Sequence, residues 1–274
     1  MAGLRYVYAV CRPFRSALQS QLTGVAGQPP RQLTHRGLLA VYSTVPEEDF
    51  AEEPLRARLE NLDWLTETAR AHQGVIDALT VVTTPLPLRL ATVFRDDSAL
   101  RTMMEAREAY FLRTLDRLEG RVEWGVKVYV EQGAEDAGGA GTGPAAGKPA
   151  SGRDYLRRRR AQTRAHEDTW QTAVEFAGRL HATLSSYAED SRLHNPQSAA
   201  LSGDSGRNVL NAAYLVPRDD CEEFVELVDR TKDDSPGTGI RVELTGPWAA
   251  YSFTGEATGA EAEGGRAGEE RKDP

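Results

Sequence analysis

The chain has 274 residues, 40% of them hydrophobic, enough for two cores of ordinary size. It carries 41 Asp and Glu against 33 Lys and Arg, a net charge of -8 that argues against a general nucleic-acid binder, because phosphate neutralisation needs a positive field. Two cysteines far apart, Cys11 and Cys221, argue against a disulfide framework or a cysteine metal cage. With no secretory leader and no apolar run near the roughly 20 residues of a membrane span, a soluble cytoplasmic protein is expected.

Arg5 to Cys11 is apolar on both faces, which suits a strand inside a sheet. Leu33 to Val45 reads as a hairpin around Arg36 and Gly37. Asp63 is placed to cap a helix with Leu65, Ala69, His72, Ile76 and Leu79 on its apolar stripe. Leu86 to Phe94 alternates as a strand, and Asp96 or Asp97 can cap a second helix running to Leu118. From Gly120 to Gln132, Val122, Trp124, Val126, Val128 and Val130 alternate with Arg121, Glu123, Gly125, Lys127 and Tyr129. This strand is expected to close the first domain, beneath the two preceding helices.

The order predicts an α+β protein with two domains: a ferredoxin-like sheet over residues 1–132 with helices on one face, and a smaller α+β domain over 153–254. Residues 133–152, rich in Gly and without large apolar side chains, read as a flexible linker, and 255–274 as a disordered tail. A long helix is expected from Arg153 to about Ala188, roughly 50 Å if unbroken. Arg157, Arg158, Arg159, Arg160 and Arg164 spread around its first half, either as an anion or acidic-partner site or as a solvated helix end. Asn208 to Pro217 reads as a central strand, a helix follows on Cys221, Phe224, Val225 and Val228, and Ile240 to Leu244 makes a further strand that Gly246-Pro247 breaks.

Fragments of catalytic signatures fail on inspection. Gly147-Lys148 lacks both the first glycine of a phosphate loop, replaced by Thr142, and the magnesium hydroxyl, replaced by Pro149. His166-Glu167 has Trp170 where a zinc site needs its second histidine. Gly203-Asp204-Ser205 has Arg207 where a nucleophile elbow needs glycine. His72 is a catalytic or ligand group, or a histidine held in packing. Spacing alone therefore favours a binding or assembly protein over an enzyme.

Seven segments in order resemble the GvpL/GvpF gas vesicle proteins: YVYAV at Tyr6, RGLLAVYSTVPEEDF at Arg36, WLTETARAHQGVIDAL at Trp64, PLPLRLATVF at Pro85, GRVEWGVKVY at Gly120, LNAAYLVP at Leu210 and GPWAAYSF at Gly246. The family's usual glycine in the fourth segment is Ala91 here, so positive φ is not expected at that position, and its proline pair in the last segment is Ala249-Ala250. The resemblance implies a non-enzymatic, cytoplasmic, gas vesicle-associated assembly factor with no cofactor, acting with the small hydrophobic shell protein and other accessory proteins. Trp248, Tyr251 and Phe253 are candidate partner contacts, with Arg157, Arg158, Arg160 and Arg164 as a second set. An enzyme on a ferredoxin-like scaffold, with a pocket around His72 or Arg89, and an anion- or nucleotide-binding module using the arginine-rich helix are the alternatives.

Overall fold

A computed structural model describes residues 3–15, 22–131, 152–195, 206–233 and 239–255. The expected linker and tail lie outside these residues, apart from Gly152 and Gly255. The elements in chain order are β1 (Leu4–Cys11), β2 (Arg31–His35), β3 (Leu38–Val45), the short helices α1 (Glu47–Phe50) and α2 (Glu52–Leu59), then α3 (Leu62–Val82). Next come β4 (Leu86–Pro87), β5 (Val93–Phe94), α4 (Asp97–Ala106), α5 (Glu108–Leu118) and β6 (Arg121–Glu131). The chain then continues through α6 (Gly152–Tyr187), β7 (Asp190–Leu193), β8 (Gly206–Pro217), α7 (Cys221–Asp233) and β9 (Ile240–Trp248).

The α+β class holds, in two antiparallel sheets. In the first, the order is β2-β3-β1-β4, with β5 also on β1. Its hairpin turns through positive φ at Arg36 and Gly37, as the sequence indicates. Here the finer expectation of helices on one face is corrected. Tyr6, Tyr8, Leu39 and Val41 pack with Val75, Ile76 and Leu79 of α3, whereas Val7, Val10, Leu38 and Ala40 pack with Leu100, Met104, Phe111 and Leu115 of α4 and α5. Both faces are covered, and that is why β1 is apolar on both.

The strand expected to close this sheet belongs to the other one. β6 lies between β8 and β9 in the order β7-β8-β6-β9, with Trp124 opposite Tyr214 and Val126 opposite Leu244. Its cover is not α3 and α5. Val122, Trp124, Val126 and Val128 pack under Phe176, Leu180 and Leu184 of α6 and Phe224 and Val228 of α7. Sheet membership thus changes between Leu118 and Arg121, upstream of the expected boundary at residue 132.

Local signals are displaced in several places. Asn61, not Asp63, caps α3 by accepting from the Trp64 amide at 3.0 Å, and Asp96 caps α4 by accepting from Ala99 at 2.9 Å. The helix expected to run unbroken to Leu118 is interrupted at Arg107. Leu86 to Phe94 is two short strands around a turn, and Ala91 there takes φ 63°. That overturns the expectation of an ordinary backbone at Ala91. The Ala91 amide donates to the Tyr6 hydroxyl at 3.2 Å, and Thr92 donates backbone and side-chain hydrogens to the Arg89 carbonyl, so neighbouring bonds hold the strained residue in place. β9 runs through Gly246-Pro247 to Trp248 rather than breaking there. It is an edge strand, where a missing amide hydrogen costs no ladder bond.

Candidate functional site

After β9 the chain crosses between the two sheets. Its side chains divide between the sheets: Ala249 and Tyr251 pack with the cluster beneath α3, while Ala250 and Phe253 pack with Leu118, Ala213 and Leu215 on the face of the second sheet opposite α6. A wedge results, built from small residues where the backbone lies closest and from rings where space must be filled. Gly246 enables the entry, because φ is 130° there and a Cβ would meet the Glu123 carbonyl at 2.9 Å.

Polar groups fix the wedge on both sides. The Glu123 carboxylate on β6 accepts from the Ser252 amide and from its hydroxyl, each at 2.7 Å. Burial pushes this carboxyl above its ordinary range, while the two Ser252 bonds pull it the other way. The Tyr251 hydroxyl donates to the Gln73 side-chain carbonyl of α3 at 3.2 Å. Burial, then the nearby Asp77, Tyr6 and Glu123, push the Tyr251 phenol up. Arg117 of α5 donates to the Phe253 carbonyl, and Tyr110 donates to that of Thr254. Arg218, just after β8, donates to the Thr80 carbonyl of α3 at 2.8 Å.

Gln73, Glu123, Trp248 and Tyr251 line a cleft of about 300 Å³ at this seam. The three aromatic candidates have different fates. Trp248 is 38% exposed, Tyr251 is half-buried, and Phe253 is fully buried and presents nothing to a partner. Arg157, Arg160 and Arg164 are exposed on the first half of α6, and the side chain of Arg158 lies outside the described residues. Because α6 covers the opposite face of the second sheet from the wedge, the two candidate sets do not form one site. The sequence reading missed Glu123 and Gln73. In sequence Glu123 is one of several residues alternating with the apolar side chains of a strand, and only the long-range return of Ser252 distinguishes it.

His72 lies elsewhere. It is buried, its Nδ1 takes the hydrogen of the Tyr6 hydroxyl at 3.1 Å, and its ring meets those of Tyr6 and Tyr8. Since Tyr6 also accepts from Ala91, its own hydrogen is free for Nδ1, placing the imidazole proton on Nε2, which has no partner. Burial lowers its pKa to about 4, so the ring is neutral at pH 7. Cys11 is likewise buried, its thiol pushed up to about 12. Among the described residues no group of three His, Cys, Asp or Glu could hold a metal ion, and no helix is long and apolar enough to cross a membrane.

The sequence profile of the family described as "Gas vesicle synthesis protein GvpL/GvpF" matches residues 4–255, nearly the whole chain. The chain belongs to the GvpL/GvpF family. It is 56% identical over 255 residues to gas vesicle protein L of Streptomyces sp. (strain CB03234), covering 93% of this chain and 94% of that protein. Gas vesicle protein F of the same organism is 26% identical over 256 residues, covering 90% and 98%. The fold resembles the crystal structures of gas vesicle protein GvpF from Anabaena sp. PCC7120, with TM-score 0.64 and 17% identity, and from Microcystis aeruginosa, with TM-score 0.64 and 19% identity. These alignments cover 94% and 93% of this chain and 98% and 100% of the respective structures. Membership in GvpL/GvpF gives the protein a role with gas vesicles, and the wedge segment GPWAAYSF falls inside the matched region.

Proposed function

We propose that this GvpL/GvpF protein is a cytoplasmic, non-enzymatic assembly factor that binds the hydrophobic gas vesicle shell protein before its incorporation and acts with other accessory proteins. A subunit destined for an apolar, gas-facing wall is an aggregation hazard while free, and a partner covering part of its apolar or strand-edge surface suppresses that hazard. The observation that carries the reading is the seam cleft, where an exposed Trp248 stands beside the tightly held Tyr251 and Glu123. Tryptophan on a pre-organised base loses little entropy on binding and buries a large area, which is how interface anchors work.

Capture of purified shell protein by the immobilised full chain tests this. Capture is expected for the unaltered protein, is reduced at least tenfold by Trp248→Ala, and persists with Arg157→Glu and Arg164→Glu together. Equal capture by Trp248→Ala would remove the cleft from the account.

A further inference from the structure

We propose that two copies of this chain associate through opposite charge stripes, the arginines on the first half of α6 in one copy meeting the carboxylates of α7 in the other. This contact is separate from the Trp248 cleft and goes beyond the reading given above.

The two stripes match in spacing. Arg153, Arg157, Arg160 and Arg164 are separated by steps of four and three residues in turn, and so are Glu222, Glu226 and Asp229. At about 100° per residue each set keeps to one narrow face of its helix. That face is the outer one in both cases. Phe176, Leu180 and Leu184 turn the other side of α6 to the second sheet, Phe224 and Val228 do the same for α7, and every one of the charged residues is exposed. Among the described residues the four arginines, Glu222 and Glu226 have no oppositely charged partner, while Asp229 pairs with Lys232 at 2.9 Å.

One molecule cannot bring its own stripes together. The start of α7 is fixed at the far end of α6, where the Tyr187 hydroxyl donates to the Asp220 carbonyl at 3.3 Å and the Tyr187 ring meets that of Phe224 at 6.1 Å. About 35 Å of helix separates Tyr187 from Arg164, whereas Asp229 lies only about 8 Å along α7 from Phe224. The first half of α6 also lacks cover: among its described residues none before Ala173 is buried. Leu156, 52% exposed, and Val174, 43% exposed, flank the arginine stripe on one side. Helices in proteins take most of their stability from packing, and a partner lying along this stripe supplies it.

A second copy is the occupant these charges select, because it carries the complementary stripe at the complementary spacing. With a net charge of -8, copies repel one another over most of their surface, and the arginine stripe is where that repulsion turns to attraction. A two-fold arrangement makes the contact twice, each copy giving its arginines to the other's carboxylates.

The test is sedimentation velocity of the full chain and of two triple variants. In about 50 mM salt the unaltered chain is expected to form dimers at about 50 µM, and the association weakens several-fold when salt rises to about 300 mM. Arg157→Glu, Arg160→Glu and Arg164→Glu together, or Glu222→Arg, Glu226→Arg and Asp229→Arg together, should each lower the association constant at least tenfold. In an equimolar mixture of the two variants the inverted stripes again meet with opposite sign, and dimers should return with an affinity within about threefold of the unaltered chain. Such rescue separates loss of the contact from loss of structure, since a misfolded variant has nothing to restore. A chain that stays monomeric to about 100 µM, dimers indifferent to salt or to either triple variant, or a mixture that does not dimerise would overturn the proposal. None of these measurements involves the shell protein, so their failure is distinct from a failure at Trp248.

Discussion

The two sheets solve the same covering problem differently. The first is closed by helices on both faces, so that β1 is buried from Tyr6 to Cys11. The second has helices on one face only, and its other face is closed by a short irregular segment from the far end of the chain. A helix buries a broad stripe and satisfies its own backbone, whereas the wedge relies on Glu123, Arg117 and Tyr110 to satisfy its amides and carbonyls. The second solution is the one that leaves an aromatic ring half in solvent. The proposed partner surface is therefore the seam rather than either helical face.

The largest expected effect comes from removing the wedge's anchor. Phe253→Ala deletes a fully buried ring, and urea unfolding should show a loss of about 3–5 kcal/mol. A loss below about 1 kcal/mol would mean that the segment merely rests on the second sheet.

Acid separates the two regions by sign. His72, in the first, has its pKa lowered to about 4, so the unfolded chain takes up its proton first as pH falls below the ordinary histidine value near 6.5. Stability from this group is intact above that value and falls by about 3 kcal/mol on the way down to pH 4. His72→Gln should remove this acid limb from a series of denaturant midpoints. Glu123, at the seam, has its pKa raised. Its contribution is present in full below the ordinary carboxylate value and is lost as pH rises through the raised one. Glu123→Gln should therefore steepen the loss of stability on acidification above the ordinary carboxylate value, because the opposing Glu123 contribution is gone and the His72 limb stands alone.

The smallest effect is expected at Ala91. Changing Ala91→Gly relieves the strain of φ 63°, and after the extra freedom of the unfolded chain is counted should stabilise by roughly 0.5–1 kcal/mol. A rise in thermal midpoint with unchanged cooperativity would confirm it, and a fall would show that the turn is not strained.

Legibility in the sequence followed the range of the interactions. The hairpin at Arg36-Gly37 and the buried β1 are set by turn chemistry and periodicity within a few residues, and they were readable. Periodicity identified β6 as a strand but not its sheet, since its partner β8 returns more than 70 residues later and an alternating pattern does not name its cover. Ala91 hid a turn that glycine would have announced, and Gly246-Pro247 announced a break that an edge strand does not need. Phe253 looked like its neighbour Tyr251 in sequence, yet the 3-10 turn from Tyr251 to Phe253 buries one against the second sheet and leaves the other at the cleft.

Hydrogen exchange of the full chain with and without purified shell protein is the most direct measurement of the central claim. The account predicts slowed exchange on binding in the wedge around Trp248 to Ser252 and in the turn of α3 that carries Gln73, with the arginine-rich half of α6 unchanged. Protection confined to that half of α6, with the wedge unaffected, would contradict it.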